Sequence, residues 1–128
     1  MAESGYKELT IITKIETLID QVYPRLRNWP RHERYALSQE VRNELTEFIK
    51  LMYLANKVVS KRMIYSQEAD GVLASLKVKF RIAHSQRYIN DGFHENISGV
   101  LSEVSKLLTS YIKDSIKVKN KKYTRSVY

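Results

Sequence analysis

The sequence has no cysteine, and only four glycines and two prolines interrupt its 128 residues. Without cysteine the chain forms no disulfide, binds no metal through a thiolate and carries no thiol nucleophile. The glycine-rich turns after strands that hold phosphates in nucleotide-dependent enzymes are also missing. The few glycines and prolines divide the chain cleanly into four segments.

Long apolar runs are absent as well. The first 20 residues carry Glu3, Glu8 and Glu16, and their apolar residues never stand more than two together. A signal peptide needs an uninterrupted apolar stretch, and a membrane-spanning helix needs about 18 apolar residues. We therefore expect no signal peptide, no membrane association and a cytoplasmic location.

Acidic residues are outnumbered, 14 against 22 basic residues, and the net charge is +8. The excess is uneven. Residues 57–87 hold seven basic and two acidic side chains, and residues 117–128 hold five basic and no acidic ones. This distribution indicates a polyanionic partner, with nucleic acid the leading candidate. An acidic protein partner and a merely solvated basic face are the alternatives.

Apolar residues recur at three- and four-residue steps in each segment, as they do on one face of a helix. The predicted helices span about 6–28, about 30–56, from 57 or 60 to 84, and about 93–117. Pro24 predicts a kink or an early end of the first helix near Tyr23, and Pro30 is expected to open the second. Asn56 is a candidate left-handed terminator of the second helix, and Gly71 a candidate site of close helix contact.

Short connections make neighbouring helices antiparallel, and no alternating segment is bounded by hairpin turns. The predicted fold is all-α, an up-down-up-down antiparallel four-helix bundle over residues 1–117. Asn90, Asp91 and Gly92 mark a turn before the last helix. Residues 118–128 are predicted to form a basic flexible tail, whose lysines and Arg125 could bind phosphate on their own.

A catalytic or metal site finds no support in the sequence. The Glu-x-x-His motif of di-iron bundles is absent, and the nearest arrangement, Asp91-x-x-His94, occurs once at a turn. His32, His84 and His94 lie on different segments, and His32-Glu33 does not continue into a zinc-binding motif. We predict no catalytic residue, no metal and no cofactor.

The basic residues outside the tail are the candidate nucleic-acid contacts. Lys77 and Arg81 are four residues apart and share a helix face, where like charges repel and the fold gains nothing, so a bound anion is a reasonable explanation. Lysines that reach from the bundle rim into water are the alternative. The predicted contacts are Arg25, Arg27, Arg31, Arg34, Lys57, Lys61, Arg62, Lys77, Lys79, Arg81 and Arg87.

Two segments resemble a known family. Residues 29–42, WPRHERYALSQEVR, resemble the start of the second helix in small four-helix-bundle proteins. Residues 69–83, ADGVLASLKVKFRIA, resemble their third helix, which carries basic residues four apart as Lys77 and Arg81 are. The family includes proteins encoded in 23S rRNA intervening sequences and the accessory variability determinant (Avd) of diversity-generating retroelements. The resemblance covers about residues 6–117.

The Avd branch implies a homopentamer with a basic surface that associates with a reverse transcriptase and its template RNA. It implies a non-catalytic accessory subunit that binds nucleic acid, RNA or DNA, during mutagenic cDNA synthesis. An rRNA-associated bundle of the intervening-sequence type, or a protein-only interaction scaffold, is the alternative function.

Overall fold

The computed structural model describes the backbone of residues 2–127 and the side chains of residues 7–116. Within this part it contains four long helices and no strand. They are α1 (Ala2–Leu26), α2 (Leu37–Lys57), α3 (Arg62–Ser85) and α4 (Asp91–Val127). Single 3-10 turns, Arg31–Glu33 and Val59–Lys61, occupy the connections on either side of α2. The prediction of an all-α four-helix bundle is confirmed.

Ion pairs between helices show that neighbours run antiparallel. Lys7 of α1 pairs with Asp114 of α4 at 2.5 Å, and Lys14 with Glu103 at 2.7 Å, so the residue numbers rise along one helix and fall along the other. Each helix packs against two neighbours, α1 and α3 both lying between α2 and α4. A basic flexible tail was predicted for residues 118–128. The side chains of these residues lie outside the described part, so the tail stays a prediction.

One apolar core fills the bundle. All four helices contribute fully buried side chains to it. They include Ile11, Ile15, Phe48, Leu73, Phe80, Ile97 and Tyr111. Apart from Ile11, these residues were predicted to face the core, because helical periodicity places every third or fourth residue on the buried face. Leu9 was also predicted to face the core, but it is exposed, and Ile11 is buried instead. No helix of the described residues is both long and apolar enough to span a bilayer.

The ends of the helices differ from the sequence prediction. α1 continues through Pro24 to Leu26. Pro24 has no amide hydrogen to donate to the carbonyl of Asp20, one turn earlier. Because Asp20 is exposed, this carbonyl can bond water instead. Pro30 precedes a 3-10 turn instead of opening α2. Residues 31–36 have no apolar side chain buried in the core that would stabilise a longer helix.

Two further predictions about single residues are wrong. Asn56 is not left-handed, since Arg87 is the one non-glycine residue of the described chain with a positive φ. Gly71 marks no close contact, because a Cβ placed there would meet nothing within 4 Å.

At the start of α4, the Asn90 side chain accepts a hydrogen bond from the Phe93 amide at 2.7 Å, so the predicted turn is the N-cap of the helix.

Candidate nucleic-acid interface

The α1–α2 and α3–α4 connections meet at one end of the bundle. The rings of Trp29 and Tyr88 pack with their centroids 5.5 Å apart. The Tyr88 hydroxyl donates a hydrogen bond to Glu33 at 3.0 Å, and the Arg25 guanidinium lies 3.9 Å from the centre of the Phe93 ring. These contacts hold residues 25–42 and 86–90 together in one surface, here called the arginine end.

A pocket of about 500 Å³ opens at the arginine end. No carboxylate lines it. Its lining residues are Leu26, Arg27, Trp29, Pro30, Arg31, Arg34, Ser38 and Arg42. Among the described side chains, no carboxylate lies within 4.0 Å of any of these four arginines, although ion pairs form elsewhere in the bundle. Four positive charges therefore share one pocket without a counter-charge from the described chain.

The other two predicted arginines of this region have partly structural roles. Arg25 donates to the carbonyl of Gln21 at 2.8 Å while it stacks on Phe93. Arg87 adopts a φ of 63° immediately after α3. Its amide bonds to the His84 carbonyl, and the next amide bonds to that of Ala83, which together close the helix in a Schellman motif. Both side chains remain exposed at the arginine end.

Lys57, Lys61 and Arg62 lie at the opposite end of the bundle. Arg62 is only 7% exposed and donates to the carbonyls of Ala55 at 2.9 Å and Asn56 at 3.0 Å. These bonds satisfy carbonyls of the last turn of α2, so Arg62 caps a helix. The guanidinium of Arg62 is therefore used within the fold, while Lys57 and Lys61 stay exposed.

The basic residues of α3 are divided between two edges of the helix. Lys79 points to α2, where it pairs with Glu44 at 2.6 Å and Glu40 at 3.7 Å. Lys77 points to α4 and donates to Ser105 at 2.8 Å, and with Arg81 it lines a groove between α3 and α4. The three side chains therefore do not form a single basic surface, and the charge of Lys79 is compensated within the bundle.

An exposed apolar strip separates these two edges. Ile64, Gly71, Val78 and Ile82 follow one another at steps of seven, seven and four residues, and we call them the α3 stripe. Each of its three large side chains is more than two fifths exposed. The α3 stripe lies opposite the core-facing side of the helix, so the bundle itself does not cover it.

Two histidines meet beside the arginine end. The rings of His84 and His94 stack with centroids 4.1 Å apart, and His84 Nε2 lies 2.7 Å from Asp91 Oδ1. Burial, reinforced by the charge of His84, lowers the pKa of His94, and Asp91 opposes this shift. The hydrogen bond with His84 lowers the pKa of Asp91.

This cluster does not have the geometry of a catalytic triad. Ser98 Oγ lies 3.5 Å from Nε2 of His94, whereas the carboxylate of Asp91 contacts His84 instead. A triad needs one histidine between the hydroxyl and the carboxylate. Among the described residues, no group of three His, Cys, Asp or Glu side chains has an arrangement that could hold a metal ion.

Sequence reasoning missed three residues of the pocket, Trp29, Ser38 and Arg42. Ser38 and Arg42 are four residues apart in α2 and so share one helix face. The predicted helix from Pro30 already placed them on one face, but only the observed start of α2 at Leu37 puts Ser38 in the first turn of the helix, beside the connection.

The sequence of residues 9–115 matches the bAvd-like family. A search of the curated proteins finds no match to the chain. The matched region includes part of each of the four helices and all of the pocket at the arginine end. The chain therefore belongs to the bAvd-like family, in agreement with its resemblance to Avd-type four-helix proteins.

Proposed function

We propose that this protein is a non-catalytic, nucleic-acid-binding accessory subunit of a diversity-generating retroelement. It assists the reverse transcriptase and the template RNA in mutagenic cDNA synthesis. Membership of the bAvd-like family supports the accessory role. The observation that carries the nucleic-acid role is the group of four arginines in one pocket with no carboxylate among its lining residues.

Arginine is well suited to this role because its planar guanidinium donates two parallel hydrogen bonds to a phosphate group. Arg27, Arg31 and Arg34 are exposed and lie in the short connection before α2, where a strand can approach them. Contacts of this kind hold a nucleic acid in place without reading its sequence. The exposed Arg81 and the half-buried Lys77 extend the basic surface along the groove between α3 and α4.

We also propose that the protein acts as a homo-oligomer, a pentamer by its resemblance to Avd, and that it contacts the reverse transcriptase. The α3 stripe supports association with a second copy, because exposed apolar side chains aligned on one helix face are suited to a protein contact. Gly71 within it leaves room for a neighbouring chain to approach the helix backbone.

A salt titration of RNA binding tests the nucleic-acid role. Affinity for single-stranded RNA should fall linearly on a log–log plot against salt, with a slope of about −0.7 per phosphate neutralised. The triple variant Arg27→Gln, Arg31→Gln, Arg34→Gln should weaken binding about equally for unrelated sequences and flatten the slope by about 2.

The matched control is the triple variant Lys50→Gln, Lys106→Gln, Lys113→Gln. It removes the same charge from exposed positions outside the arginine end. If this control weakens binding as much as the arginine variant does, net charge alone drives binding and the arginine end is not the site. If the unmodified protein binds neither RNA nor DNA at low salt, the nucleic-acid role is wrong and a protein-only scaffold is favoured.

A further inference from the structure

The pocket at the arginine end contains polar groups that the fold leaves without partners. Trp29 is 5% exposed and Ser38 is 1% exposed, and both line the pocket. The indole Nε1 of Trp29 and the hydroxyl of Ser38 are shielded from water and have no hydrogen-bond partner among the described residues. Buried polar groups are nearly always paired, since leaving one unpaired destabilises the fold. Two such groups beside one pocket point to an acceptor that comes from outside the chain.

The N-terminus of α2 adds further donors at the same place. No side chain caps this end of the helix, and the first helical bond runs from the Glu40 amide to the Ala36 carbonyl. The amides of residues 37–39 precede that bond and remain free, as at any uncapped helix start. Such amides, at the positive end of the helix dipole, bind anions, above all phosphate. Ser38 of the pocket lining belongs to this turn.

The charge of the pocket selects the kind of anion. Arg27, Arg31, Arg34 and Arg42 surround it without a lining carboxylate, and the helix dipole adds to their potential. A phosphodiester within a strand carries one negative charge, whereas a terminal phosphate carries about two and presents three acceptor oxygens. Four guanidiniums together with free backbone and side-chain donors fit the terminal phosphate better, because it can occupy more of them at once.

We infer that this pocket binds the terminal phosphate of a nucleic-acid strand, so that the protein holds a strand end in addition to the strand backbone. The inference rests on the proposed function as far as the strand is concerned. The pocket is large enough for the phosphate and part of its nucleotide, because pockets of about 300 Å³ and more hold small ligands. Ser38 and Arg42 of α2 and the three arginines of the connection all line this pocket and would contact the phosphate.

The test compares short single-stranded RNAs of one sequence that end in a 5′-phosphate, a 3′-phosphate or hydroxyls only. A fourth RNA has hydroxyl ends and two further nucleotides, which match the charge of the added phosphate. We expect one phosphorylated form to bind at least about tenfold more tightly than both hydroxyl-ended RNAs, the factor that one charge-assisted hydrogen bond provides. Equal affinity of the phosphorylated and the charge-matched RNA would overturn the inference.

Trp29 offers a direct signal because it is the only tryptophan of the chain. Its indole N–H gives a single resonance in a ¹⁵N–¹H spectrum, and this resonance should move when the end-phosphorylated RNA is added and stay in place with the charge-matched RNA. The variants Arg42→Gln and Ser38→Ala should lose the preference for the phosphorylated end. Lys50→Gln, which removes an exposed charge two turns further along α2, should keep it.

The outcomes separate this inference from the proposed function. If all the RNAs bind with similar affinity, the nucleic-acid role stands and the terminal-phosphate pocket is wrong. If none binds, the proposed function fails, and a nucleoside 5′-monophosphate is compared with the nucleoside by the same Trp29 resonance. A shift with the monophosphate alone then supports the pocket, and no shift with either overturns it.

Discussion

Arg87 has a backbone conformation that usually belongs to glycine. Its φ of 63° lies in the left-handed region, where a side chain costs about 1 kcal/mol relative to glycine. The predicted end of α3 near residue 84 agrees with the structure, but the left-handed terminator was not predicted, since helix ends of this type are recognised by a glycine or asparagine. The exposed guanidinium adds positive charge to the arginine end, a gain that glycine could not provide.

His94 makes stability depend on pH in a predictable direction. Burial and the adjacent His84 lower the pKa of His94 in the folded chain below the ordinary value of 6.5. When the pH falls below 6.5, the unfolded chain takes up the proton first, so the free energy of unfolding decreases until the pH passes the lowered pKa. Well above pH 6.5 both states are neutral and His94 contributes no pH dependence.

Thermal unfolding between about pH 8 and pH 5 measures this effect. His94→Gln should show a smaller loss of melting temperature on acidification than the unmodified chain. His32→Gln leaves the stack of His84 on His94 intact and should retain the full loss. A His94→Gln variant with an unchanged pH profile would contradict the assignment.

At the scale of the element, the sequence predicted the four helices and the ends of α2 and α3 to within about one residue, but not the start of α2. The core needs an apolar residue at every third or fourth position of a helix, and this spacing can be recognised within each segment of the sequence. The end of α2 instead depends on Arg62, which reaches back to the carbonyls of Ala55 and Asn56 from the next helix. In sequence this residue looks like one more member of a basic run.

The capping role of Arg62 predicts a stability change without a binding change. Arg62→Gln should lower the free energy of unfolding by about 2 kcal/mol, because it breaks one buried and one partly buried hydrogen bond from a charged donor. RNA affinity of the folded variant should equal that of the unmodified protein. Denaturant unfolding and RNA titration measure the two quantities. A loss of affinity with unchanged stability would restore Arg62 as a phosphate contact.

The candidate site was predicted only in part for a related reason. Arg25, Arg27, Arg31 and Arg34 are close together in sequence, so their clustering needs no knowledge of the fold. Their separation from Lys57 and Lys61 by the length of α2, about 32 Å at 1.5 Å per residue, follows from helix geometry. The basic residues of α3 are divided between two edges because Lys77 contacts α4 and Lys79 contacts α2. The sequence around these lysines does not show which helix each of them contacts.

At the scale of the whole molecule, the α3 stripe predicts how copies associate. Light scattering should give about five times the mass of one chain for the proposed pentamer. The double variant Val78→Glu, Ile82→Glu should give the mass of a single folded chain, because association would bury two carboxylates against an apolar surface. Substitution of exposed residues changes the stability of the single chain by only about 0.5 kcal/mol.

Leu9→Glu is the control, since Leu9 is an exposed apolar residue on α1 outside the α3 stripe. This variant should keep the oligomeric mass. If the unmodified protein is monomeric at micromolar concentration, the proposed oligomer is wrong. If Leu9→Glu dissociates the oligomer and the double variant does not, copies associate through another surface.

Both connections that carry the arginines lie at the same end of the bundle, which has a consequence for a ring of copies. Cyclic symmetry places equivalent points at one height along its axis, so every arginine end of the proposed ring would lie at one level. A strand bound to one copy would then meet the next at a high effective concentration, set by the distance between them. Sites that are individually weak would together hold a long strand with high avidity, while a strand too short to reach a second copy would dissociate as quickly as from a single subunit.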